Sequence, residues 1–193
     1  MKSLWRQLWQ RFDSPQYAQV IPGLMIHGVP APYPVVNERA VRAGAGMMFA
    51  AGGFAFMQAF YLQEFFYIEV LVLVLLSDFS VKVFAGPAWS PVSRVAQWIV
   101  RRQTPEYVGA VQKRFAWSIG FVLASTMSVL LLVFGVVGPV NLAICAICLT
   151  FMFMESAFGM CAGCWMYQGL QRLGIIPQPT VQPACPGNVC AIE

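Results

Sequence analysis

Six cysteines fall into three close pairs: Cys145 and Cys148 in CAIC, Cys161 and Cys164 in CAGC, Cys185 and Cys190 in CPGNVC. A C-x-x-C at a helix end sets two sulfurs on neighbouring turns, near enough to close a disulfide, hold one soft metal, or accept and pass on a sulfur atom. Gly159 and Gly163 open the backbone around CAGC, and Trp165 and Tyr167 mark a membrane interface beside it. Thiol chemistry is therefore assigned first to Cys161 and Cys164. Cys145 and Cys148 suit the packing role that a free cysteine takes as a small hydrophobe. On one continuous helix Cys145 and Cys161 would stand about 24 Å apart and about 160° around the axis, which predicts two separate sites. The tail pair is open to three readings. It swings to CAGC as a thiol shuttle, it closes a C-x2-C-x20-C-x4-C cage of Cys161, Cys164, Cys185 and Cys190 around zinc or iron, or it is inert.

Glu155 lies seven residues beyond Cys148 on nearly the same helical face, inside an apolar run. A buried, unpaired carboxylate there costs several kcal/mol, so it needs a proton or a cation; Lys82 and Arg114 are the expected partners. Glu155 either holds helices together or handles protons for the thiols. Asp78 and Lys82 are four apart on one helix face and are expected to pair as architecture, and Glu69 is expected to reach water. His27 is the single histidine. It excludes multi-histidine metal sites within this chain and reads as a turn or interface residue. Gly44, Gly46, Gly52 and Gly53 lack the ending of a phosphate loop and suit close helix packing. The methionines suit core filling better than copper ligation. No classical catalytic set is visible, and thiol redox is the activity these residues allow.

The elements that position these groups must lie in lipid. Of 193 residues, 59% are hydrophobic and only 10% charged, against about 25% charged in a soluble domain. Spans are expected at about 42–62, 65–85, 115–136 and from Val140 to about Met160, with an extension to Tyr167 as the alternative end of the last; each is long enough for about 30 Å of hydrocarbon. The predicted fold is all-α: an integral membrane four-helix bundle of two helical hairpins. Residues 1–12 place Leu4, Trp5, Leu8, Trp9 and Phe12 on one stripe and predict an interfacial helix with no cleavable leader. Five prolines between 15 and 34 predict an irregular strap. Val92 to Arg114 predicts a basic amphipathic segment along the membrane surface between spans two and three. The organisation is therefore 1–41 helix and strap, 42–168 membrane domain, and 169–193 an extended tail.

All twelve basic residues sort to one side of this plan, five before the first span, six from Lys82 to Arg114, and Arg172. The bias predicts both termini in the cytoplasm. The net charge of +4 suits anionic headgroups, with lipid rather than nucleic acid as the partner.

VNERAVR at 36–42, DFSVKVF at 78–84, SPVSRVA at 90–96, KRFAWSIG at 113–120 and ESAFGMCAGCWMY at 155–167 together resemble a bacterial membrane family known as domain of unknown function 4395. The resemblance covers about 36–168 and implies a four-span inner-membrane protein. It implies that Glu155, Cys161 and Cys164 belong to a shared core with Arg39, Asp78, Arg114 and Phe115, and it implies no established activity. The N-terminal strap, CAIC and CPGNVC fall outside the pattern. Two functions are carried forward. One is thiol/disulfide exchange or sulfur handling by Cys161 and Cys164 with a thioredoxin-like partner. The other is a non-catalytic accessory subunit of a larger membrane complex, with structural or metal-binding cysteines.

Overall fold

The computed structural model of the protein describes residues 17–26, 28–177 and 183–184. The helix expected at 1–12, His27, Cys185 and Cys190 lie outside the described residues. Among these the architecture is all-α, with two small antiparallel ladders at one end. Strands β1 (Met25–Ile26) and β2 (Val29–Pro30) form a hairpin. Strand β3 (Val35–Asn37) pairs with β4 (Tyr107–Gly109), Val36 opposite Val108. The expected irregular strap is thus partly strand. Proline lacks the N–H but keeps its carbonyl as an acceptor, and Pro34 accepts from the Ala110 N–H at 2.9 Å.

The β3–β4 ladder decides how the helices start. Helix α1 (Glu38–Leu62) follows β3 directly, and its N-cap Asn37 accepts from the Arg39 N–H at 3.2 Å and from the Glu106 N–H at 3.3 Å. Helix α2 (Phe66–Ser80) continues through a π turn, Val81–Ala85, and ends at Gly86. Gly86 has φ 106°, and a Cβ on it would lie 2.6 Å from the Tyr17 carbonyl oxygen. Helix α3 (Pro91–Val100) is capped by the Ser90 hydroxyl, which accepts from the Ser93 N–H at 3.0 Å. Helix α4 (Ala110–Ser128) follows β4 directly and runs on through Val129–Val133. Because β3 and β4 are paired, α1 and α4 begin side by side.

Helix α5 (Pro139–Phe153) continues through the π turn Met154–Phe158 and stops at Gly159, φ 67°. The Arg42 guanidinium closes that end, donating to the Ser156 carbonyl at 3.1 and 3.2 Å and to the Ala157 carbonyl at 3.0 Å. Helix α6 (Ala162–Arg172) then starts anew. Two expectations change here. The last apolar helix does not run through to Tyr167, so the helical-wheel separation of Cys145 from Cys161 does not apply. The surface segment expected over 92–114 is a helix only to Val100, and residues 107–114 instead form β4 and the first turn of α4.

Helix α1 packs against α2, α3 and α5, while α4 packs against α2, α5 and α6. Small residues permit the close approaches. A Cβ on Gly52 would lie 2.9 Å from Leu149, on Gly46 2.8 Å from the Ser156 hydroxyl, and on Gly120 2.8 Å from the Phe79 ring. Ala55, Ala59, Ile68, Val72, Met127 and Leu131 form the apolar core away from the strands. The outward faces are apolar as well, with Phe54, Phe60, Leu73, Val122, Val133 and Ile147 exposed. Three helices, Glu38–Leu62, Ala110–Val133 and Pro139–Phe158, are long and apolar enough to cross a membrane. The α2 rod is similarly apolar but carries Glu69, Asp78 and Lys82.

The expected Asp78–Lys82 pair is present and buried, at 2.6 Å, and the Ser90 hydroxyl donates to the other Asp78 oxygen at 2.5 Å. Lys82→Met should leave Asp78 buried without its counter-charge and lower stability by roughly 3–5 kcal/mol, because removing one partner strands the other. Adding Asp78→Leu should recover most of the loss. Thermal unfolding of the three proteins in detergent checks both expectations.

Candidate functional site

Lys113 sits in the first turn of α4, beside the first residue of α1, and its side chain is fully buried. Its ammonium lies 2.8 Å from one Glu38 oxygen and donates to the other at 3.1 Å; a third contact, 2.7 Å, reaches Glu155. Glu38 is 2% exposed. A buried ammonium between two carboxylates joins the starts of α1 and α4 to the last turn of α5. These three groups draw together the ends of three helices from residues 75 and 42 positions apart.

The partners expected for Glu155, Lys82 and Arg114, are not the ones it has. Lys82 is taken by Asp78. The Arg114 Nε donates to the Val83 carbonyl at 3.0 Å and the guanidinium stacks over the Tyr17 ring at 4.2 Å. Neighbouring residues on a helix point about 100° apart, so when Lys113 faces α5, Arg114 faces α2 and the Tyr17 segment. Glu155, Asp78 and Lys82 instead share the wall of a cavity of about 430 Å³, with Asn37, Tyr107 and Trp117. Glu38 and Lys113 were missed by sequence reasoning. Both stand at span edges, where charge ordinarily means headgroup contact, and no feature of the sequence marked them as buried.

Cys161 is the N-cap of α6 and Cys164 stands on its first turn, its N–H donating to the Cys161 carbonyl at 3.0 Å. Both are free thiols and buried, 5% and 2% exposed. Gly163 lets this turn lie directly on α4: a Cβ there would fall 2.5 Å from the Ala116 Cβ and 2.6 Å from its Cα. Ala116 is one turn beyond Lys113 on α4, so the same contact carries the sulfurs into the field of the buried ammonium. A hydrogen bond from the Cys164 thiol holds the Cys161 thiol below the ordinary thiol range; burial opposes this and Lys113 adds to it. The helix N-terminus acts in the same direction. That hydrogen bond, together with burial, pushes Cys164 well above the thiol range. The two sulfurs are thus shifted in opposite directions, Cys161 down and Cys164 up.

Cys145 and Cys148 remain on α5, half-buried and free, with Cys145 against the apolar core. Among the described residues no three histidine, cysteine, aspartate or glutamate side chains are grouped to hold a metal. The expected four-cysteine zinc or iron cage needs Cys185 and Cys190, which lie outside the described residues. Ala184, the residue before Cys185, accepts from the Gly109 N–H at 2.8 Å and donates to the Tyr33 hydroxyl at 2.9 Å, while the Gln112 amide donates to the Pro183 carbonyl at 3.2 Å.

Two substitutions should move Cys161 in opposite directions. Glu155→Gln removes a negative charge that raises its pKa, so alkylation should reach its half-maximal rate at lower pH, since the thiolate is the reactive form. Lys113→Met removes a positive charge that lowers it, shifting the profile to higher pH. It should also destabilise the fold by roughly 3–5 kcal/mol, with two buried carboxylates left uncompensated. Iodoacetamide rates against pH, with the labelled peptide identified by mass, measure the shifts.

No curated protein and no solved structure matches the chain. A family model does match, over residues 36–172, from β3 to the end of α6 and therefore across Glu38, Lys113, Glu155, Cys161 and Cys164. The chain belongs to the family described as a domain of unknown function, DUF4395.

Proposed function

We propose that Cys161 and Cys164 form a membrane-embedded protein's thiol site, cycling between dithiol and disulfide or carrying a sulfane sulfur, with Glu155 as the group that accepts and returns the thiol proton. The observation that carries this reading is the pair itself: two buried cysteines on the first turn of α6, the Cys164 N–H donating to the Cys161 carbonyl at 3.0 Å, packed on α4 one turn from the fully buried ammonium of Lys113. A packing role does not need a buried cation and a carboxylate, Lys113 and Glu155 in contact at 2.7 Å, at the helix end on which the pair packs.

The protein is proposed to sit in the bacterial inner membrane as a four-span bundle, α2 with its π turn making the fourth crossing. The charges of α2 support this, because Asp78 and Lys82 satisfy each other inside the protein and need no contact with lipid. Both termini are proposed to be cytoplasmic. The sorting of all twelve basic residues supports that orientation, as does the exposed stripe Val95, Trp98 and Ile99 on α3, with Arg101 over the Trp98 ring at 5.2 Å. In this organisation 42–168 forms the membrane unit between the N-terminal strap and the tail.

The test is a redox titration of the detergent-purified protein against mixtures of reduced and oxidised dithiothreitol. The expected result is a reversible loss of 2 Da in the peptide carrying Cys161 and Cys164, absent from Cys164→Ser and retained in a Cys145→Ser, Cys148→Ser double variant. A Cys161/Cys164 pair that stays reduced across the whole range would overturn the proposal.

A further inference from the structure

A second cavity, of about 130 Å³, lies on the opposite side of the wall formed by Phe79, Trp117, Met152 and Glu155 from the polar cavity of Asp78 and Lys82. Cys161 lines it, and so do Cys145 and Cys148 from α5. Its remaining surface is almost wholly apolar, with Leu123, Ala124, Met127 and Ile144 among the contacts. The cavity is therefore a place where tertiary structure brings CAGC and CAIC together, although sequence spacing separated them. Phe151 and Met166 also line it, and both are exposed on the outer flank, 43% and 54%. The opening is thus toward the apolar face that lipid would cover.

Cys161 is 5% exposed and Cys164 2%. A protein thiol carried on another domain has no open surface from which to attack them, whereas a small molecule entering from the apolar flank meets Cys161 directly. The size is that of one six-membered ring: an apolar cavity of about 150 Å³ in an engineered protein holds benzene. The carboxylate of Glu155 at the wall is the single charged group among the residues lining the cavity, and it touches Lys113 at 2.7 Å. The site therefore combines a ring-sized apolar space, the Cys161 thiol with Cys164 behind it on the same helical turn, and one carboxylate.

Resting on the thiol function proposed above, we infer that this cavity binds the ring of a lipid-soluble quinone, which oxidises Cys161 and Cys164. Two S–H bonds break and one S–S bond forms. The two electrons and two protons pass to the carbonyl oxygens of the quinone, which leaves as the quinol; Glu155 carries a proton from sulfur to oxygen. Cys145 and Cys148 line the ring site without taking part in this step.

The experiment uses the full-length reduced protein in detergent, without oxygen, and duroquinone as the probe. Its fully substituted ring has no open position for a thiol to add to. The expected result is one quinone consumed per disulfide, with the 2 Da loss in the Cys161–Cys164 peptide. Ala124→Leu, which fills part of the cavity, should slow the reaction at least tenfold while leaving the dithiothreitol titration unchanged. Durene, the same ring without its oxygens, should slow the wild-type protein and thereby tests the cavity without any substitution. Oxidation at the same rate in Ala124→Leu and in the presence of durene would overturn the inference, as would a disulfide formed between Cys145 and Cys148 instead. A pair that cycles with dithiothreitol but is inert to duroquinone removes the quinone alone; a pair inert to both removes the thiol function as well.

Discussion

The burial of the Lys113 ammonium between Glu38 and Glu155 is the constraint around which the rest of this structure is arranged. A charge taken fully out of water costs several kcal/mol and is tolerable only with its counter-charges held in contact. Three helix ends must therefore arrive at one point: the start of α1, the start of α4 and the last turn of α5. The β3–β4 ladder meets the first part of this requirement by starting α1 and α4 as neighbours. The Arg42 guanidinium meets the second by holding the carbonyls at the end of α5. Neither device would be needed if Lys113 faced the headgroups.

The thiols inherit their properties from that arrangement. Gly163 brings the first turn of α6 onto Ala116, one turn along α4 from the ammonium, and the Gly159 bend lets the chain reverse from α5 into α6 in three residues. The bend matters chemically as well as sterically. By ending α5 and starting a new helix it places Cys161 at a helix N-terminus, where unpaired N–H groups favour a thiolate, rather than in mid-helix, where nothing would. Burial alone would have raised both sulfurs, and their contrast comes from the hydrogen bond between them.

Among the described residues the buried ion pairs and the Cys161–Cys164 pair gather at one end of the bundle and are divided by a thin wall. On one side a polar cavity carries the Asp78–Lys82 pair; on the other an apolar cavity carries the sulfurs. Glu155 belongs to both, and it lies in a π turn. The extra residue in the turn loosens the regular ladder, a feature that recurs at functional positions in helices. Lys82 likewise lies in a π turn. Two of the three π turns among the described residues thus carry an ion-paired charge, while the third, Val129–Val133, is wholly apolar.

Much of the fold was legible in the sequence because its determinants are local. Apolar runs of about twenty residues, their Gly and Pro stops, the i, i+4 pairing of Asp78 with Lys82, and the small residues that mark close packing all follow from chain composition and helical period. The thiol pair at Cys161 and Cys164 was visible in the same way. What spacing could not supply was which charged residue Glu155 would meet. Lys82 and Arg114 were the partners the sequence suggested, and only the crossing of α4 against α5 and the pairing of β3 with β4 brought Lys113 to Glu155 instead. The strands themselves were hidden because a three-residue ladder in a proline-rich segment has no periodicity to read. The shared cavity of Cys145, Cys148 and Cys161 was hidden for a related reason. The sequence suggested one helix through all three, and a single left-handed residue at Gly159 replaced that line with a turn. Helix identity is set by short-range chemistry written in order along the chain; the meeting of charges and sulfurs is set by how those helices cross, which is a property of the packed whole.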